Sequence, residues 1–134
     1  MNTQNQSGHM LLFVGTDWHK GLSPEQMQKV AEEMMTWFRR LKDDGKAVAG
    51  HPLGFEGKVV SGKNRTVTDG PFAEAKEAIG GYFMLDVATM DEAVAIARQC
   101  PSLPFGVKVE VRPVLAECPF KLEGEMEEAL GGEK

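Results

Sequence analysis

The stretch Ser23-Pro24-Glu25-Gln26, with the apolar residues that follow it, constrains this chain more than any other. Ser23 has the side chain of an N-cap, and Pro24 suits the first turn. Gln26 stands where a capping box needs its second member. Met27, Val30, Met34, Phe38 and Leu41 then recur at spacings of three or four, with Ala31 beside them. That is one apolar helical face. Arg39, Arg40 and Lys42 fall in the last turns, where cations suit the helix dipole, and Gly45 supplies the C-cap. A helix from Pro24 to Asp44 follows. Met35 and Trp37 lie off this stripe and are expected to meet a partner.

Strands are placed around that helix by pattern. Met10 to Val14 is apolar on both sides, as a buried central strand is. Lys46 to Ala49 reads as a second strand. Lys58-Val-Val60 and Arg65-Thr-Val67 flank the turn-forming Ser61-Gly-Lys-Asn64 and read as a hairpin. Pro71 to Ile79 reads as a short helix ended by Gly80-Gly81. In Tyr82 to Val87, Phe83, Leu85 and Val87 face one way, and Tyr82, Met84 and Asp86 the other. Thr89 and Glu92 frame a second capped helix, which Pro101 stops. Val107, Val109 and Val111 alternate with charged residues in a last strand.

Two β-α-β halves of this size predict an α+β domain. Its antiparallel sheet carries both long helices on one face, in a ferredoxin-like arrangement with a hairpin and short-helix insert. The second sheet face is then left uncovered, and an apolar uncovered face marks a partner surface. A homodimer packed sheet on sheet is the expectation.

The chain's 134 residues favour one domain. Residues 1–9 read as a flexible N-terminal segment, 10–116 as the domain, and 117–134 as an acidic tail. From Glu123 to Lys134 there are five glutamates and one lysine, a charge of −4 within a chain total of −5. The body is near neutral and has no basic patch, which argues against nucleic acid. No apolar run approaches a membrane span, and the N-terminus lacks a signal-peptide pattern. Cys100 and Cys118, each followed by proline, read as reduced thiols of a cytoplasmic protein. Neither belongs to a Cys/His cluster, so no metal is expected. No Walker or GxGxxG frame points to a nucleotide, and no cofactor is expected.

The run TVTDGPFAEAKEAIGGYFMLDV (66–87), the later helix ending in Cys100-Pro101, and VKVEVRPV (107–114) together resemble the DGPF family. That family is part of the wider YCII-related group, and the likeness covers most of residues 10–119. The resemblance implies a dimeric α+β barrel with a cleft between sheet and helices. It also implies association, in some members, with extracytoplasmic-function sigma factors. Some YCII-type proteins pair a histidine on the first helix with an aspartate. The helix from Pro24 to Asp44 has no histidine, so that dyad does not carry over.

Candidate site residues each have two readings. Asp69-Gly70-Pro71-Phe72 is accounted for by turn chemistry. Asp69 would cap the first amides of the helix, Gly70 would allow the reversal, Pro71 would start the helix, and Phe72 would anchor it. The same helix start could draw an anion, with Asp69 as a ligand-binding group. His51 follows the second strand, where it is either an exposed loop residue or a proton carrier facing the cleft. Tyr82 and Asp86 share a strand face with Met84. If that face lines the cleft, Asp86 is a buried acid and a candidate base alongside His51. Arg112 is a candidate carboxylate ligand. The leading function is a small-molecule-binding or regulatory dimer. The alternative is an isomerase- or lyase-like enzyme using His51 and Asp86.

Overall fold

Helix α1 (Pro24–Asp43) begins as its sequence requires. The Ser23 hydroxyl accepts from the Gln26 amide at 3.1 Å, and the Gln26 side chain accepts from the Ser23 amide at 2.8 Å. At its other end Gly45, at φ +76°, turns the chain so that the Lys46 amide reaches the Leu41 carbonyl at 2.8 Å. The computed structural model describes residues 6–15, 17–54, 56–70 and 78–116. In chain order they form β1 (Gln6–Val14), α1, β2 (Ala47–Pro52), β3 (Lys58–Ser61), β4 (Thr66–Asp69), β5 (Ile79–Leu85), α2 (Met90–Ala97) and β6 (Lys108–Leu115). The expected short helix begins in 71–77, which lie outside the described residues, as do Cys118 and the acidic tail.

The main sheet runs β2-β5-β1-β6, and every pair in it is antiparallel. Without β3 and β4, the spatial order is second, third, first, fourth. That order, with two helices on one face, is consistent with a ferredoxin-like fold. Among the described residues, strands β3 and β4 pair only with each other, in a separate two-stranded sheet.

One face of the main sheet is the core. Leu11, Phe13, Phe83 and Leu85 point from the two central strands toward Trp37 and Leu41 of α1 and Ala93, Ile96 and Ala97 of α2. Phe83 sits at the centre, with ring centroids 4.9 Å from Phe13, 5.1 Å from Trp37 and 4.7 Å from Phe38. Such edge-on and tilted contacts suit aromatic quadrupoles. Gly50 makes this packing possible. A Cβ there would lie 2.7 Å from Phe83 and 2.8 Å from Phe38.

Several expectations are corrected. Trp37 is 2% exposed and belongs to the core, not to a partner surface. With Val30, Met34 and Leu41 it completes a stripe at spacings of four, three and four, while Met35 remains exposed. β1 starts at Gln6 rather than Met10, and His9 is buried within it, its Nδ1 3.1 Å from the Val87 carbonyl. The expected helix does not reach Ile79, which opens β5. Gly80 and Gly81 therefore lie inside a strand and do not end a helix. The cause is close strand packing: a Cβ on Gly81 would lie 3.0 Å from the His51 carbonyl oxygen and 3.3 Å from Pro52.

Candidate functional site

β1 and β5 alternate from Met10 to Phe13 and from Tyr82 to Leu85, so burying Leu11, Phe13, Phe83 and Leu85 turns Met10, Leu12, Tyr82 and Met84 to the opposite face. The registers arrange that face in two rows. One row runs His51, Tyr82, Leu12, Glu110 across β2, β5, β1 and β6. The next runs Ala49, Met84, Met10, Arg112. Each row crosses about 14 Å, at ~4.8 Å per strand. The middle is apolar and half-buried, and the ends carry an exposed histidine on one edge and an exposed ion pair on the other.

His51 belongs to β2 rather than to a loop, because the strand runs on to Pro52. It lies opposite Tyr82, with ring centroids 5.9 Å apart at 49°. Arg112 donates from Nη1 to Glu110 Oε2 at 3.2 Å, within its own strand. This exposed pair leaves the other guanidinium nitrogens available as donors. The structure therefore places His51, Tyr82 and Arg112 on one face, on three different strands.

Asp86 does not join them. It lies one residue beyond β5, is exposed, and gives its amide to the Lys46 carbonyl at 2.8 Å. Four residues separate it from Tyr82, roughly 13 Å of strand. The burial on which its role as a base depended is absent, and His51 and Asp86 form no acid–base pair within one chain. Asp69 is exposed at the end of β4, and its carboxylate is paired with the Lys58 ammonium across the hairpin. Gly70 is buried at φ +151°, and its amide reaches the Gly57 carbonyl at 3.0 Å. Pro71 and Phe72 lie outside the described residues.

The space between sheet and helices, where the cleft was expected, is filled by Phe13, Trp37, Phe38 and Phe83. An open hollow of about 490 Å³ lies on the outer side of the helices, between Lys29, Glu33, Thr36 and Arg40 of α1 and Gln99 and Pro101 after α2. Its floor is Trp37, whose Nε1 donates to Gln99 Oε1 at 3.1 Å. The sequence reading missed this place because it put Trp37 off the buried stripe; the spacing of seven from Val30 was the available signal. None of the predicted site residues lines it. Among the described residues, no group of three or more His, Cys, Asp or Glu side chains could hold a metal ion. No described helix is long and apolar enough to cross a membrane.

Residues 10–121 match the YCII-related domain, so the chain belongs to that family. A curated relative, an uncharacterized protein of Rhizobium meliloti (strain 1021), is 42% identical over 57 residues. That stretch is 42% of this chain and 46% of the relative, so the match spans about half of the relative's length.

Proposed function

We propose that this member of the YCII-related family is a homodimeric, small-molecule-binding regulatory protein of the cytoplasm. Its two sheets meet through their open faces, as in a dimeric α+β barrel. Within the family we place it in the branch marked by Asp69-Gly70-Pro71-Phe72, where a link to sigma-factor signalling fits a binding role. One observation carries the reading. The sheet face opposite the helices bears Met10, Leu12, Tyr82 and Met84 in its middle, and no described helix lies over it. Apolar surface of this kind on a central strand pair is stabilised by a second layer. His51 and the Arg112–Glu110 pair would rim the seam and orient a polar ligand. A non-catalytic role is favoured because His51 and Asp86 lie apart and no other nucleophile–base pair faces the seam among the described residues.

A thermal-shift screen against small carboxylic acids tests the binding role, since a ligand that binds only the native state raises apparent stability. At one hundred times its Kd a hit would add ~2.7 kcal/mol. The shift should fall away in at least one of His51→Ala and Arg112→Ala, which stand on opposite edges of the face. A hit whose shift survives both substitutions would place the ligand elsewhere and overturn this site.

A further inference from the structure

We infer that the β3–β4 hairpin is an arm that clasps a second copy of this chain. The inference rests on the homodimer reading and adds to it a contact outside the sheet seam. All eight residues of β3 and β4 are exposed, which is unusual for strands carrying three valines. Val60 and Val67 stand directly opposite each other and are 63% and 59% exposed, and Val59 is 41% exposed. A two-stranded hairpin alone is marginally stable in water, and here both strands are edges. On one face Val60 and Val67 lie beside the Lys58–Asp69 ion pair. This gives an apolar patch with a polar base, and the chain's described residues do not bury it.

Two observations identify the occupant. The first is position. The arm leaves the main sheet just after Pro52 and returns just before Ile79, beside the cross-strand pair of His51 and Tyr82. It is therefore tethered at the His51 edge of the main sheet, beside the face where a second copy would sit. The second is charge. From Lys58 to Asp69 there are three cations, Lys58, Lys63 and Arg65, against the single carboxylate of Asp69, a net +2. Taken from the chain's −5, that leaves −7 on the remainder, of which −4 lies in residues 123–134. A cationic arm is complementary to the net negative remainder of another copy. Two-fold symmetry would make the contact reciprocal, each arm reaching across to its partner. Lys63 and Arg65, at the tip, would supply steering and salt sensitivity, and the valines the buried contact.

The test compares dissociation constants by sedimentation equilibrium for the full chain and three variants. Val60→Lys with Val67→Lys should raise the dimer dissociation constant about tenfold or more. Lys63→Glu with Arg65→Glu, both at exposed tip positions, should weaken it and flatten its salt dependence. Leu12→Arg, on the sheet face, reports on the seam alone. A photo-crosslinking side chain at position 60 should give a species of two chains. Hairpin variants that dimerise as the wild type does, with Leu12→Arg dissociating, would overturn the arm and keep the seam. Crosslinks confined to one chain, for instance to the acidic tail, would also overturn the arm. A wild-type monomer would remove the dimer reading and the arm together.

Discussion

Gly50 and His9 show how single residues hold the sheet. A methyl group at Gly50 would press on the rings of Phe83 and Phe38, which pack against each other, with Phe83 also held against Trp37. Gly50→Ala should therefore destabilise by ~1–3 kcal/mol, the range for overpacking a filled core. The check is the urea midpoint, with an unchanged slope. His9 is 1% exposed and faces the Val87 carbonyl. His9→Leu keeps the volume but leaves that carbonyl without its donor, at a cost of ~1–3 kcal/mol. A variant as stable as the wild type would show that the contact contributes nothing net. The histidine's burial was not legible in MNTQNQSGHM, because a polar sequence gives no sign that β1 extends back to Gln6. The register with β5 and β6 decides it, and those partners are about seventy and a hundred residues away.

At the scale of elements, what was legible was local. The α1 cap was readable because Ser23 and Gln26 satisfy each other within four residues. Ser23→Ala should lower stability by ~1 kcal/mol, read as a fall in melting temperature. α2 follows the same logic, with Thr89 Oγ1 accepting from the Glu92 amide at 3.1 Å. What was misread was settled at a distance. Gly80-Gly81 can stop a helix or let two strands approach closely, and sequence alone does not choose. The choice is made by His51 and Pro52 on the neighbouring strand. Trp37 was misassigned because Phe38 completes an equally regular stripe. Both rings are used, one at the centre of the core and one at its margin. Trp37→Ala should cost ~3–5 kcal/mol, as removal of a large buried aromatic does, and should also release Gln99.

At the scale of the whole molecule, the α+β architecture and its sheet with two helices on one face followed from the order of patterned segments. The candidate site followed only in part. Tyr82 and Arg112 were correctly put on half-exposed strands, because alternation in β5 and β6 is a period of two that a sequence displays. Asp86 shares that alternation but lies past the strand's end, where alternation no longer fixes a face. We propose that the face opposite the helices, with Leu12 and Tyr82 at its middle, is where a second chain packs. Leu12→Arg places a charge in the centre of that face and leaves the helix-side core untouched. The most direct measurement is sedimentation equilibrium of the wild type and Leu12→Arg at micromolar concentration. The wild type should sediment at twice the chain mass of 14.7 kDa, and Leu12→Arg as a folded monomer. A wild type sedimenting at 14.7 kDa, or a variant that dimerises unchanged, would contradict it.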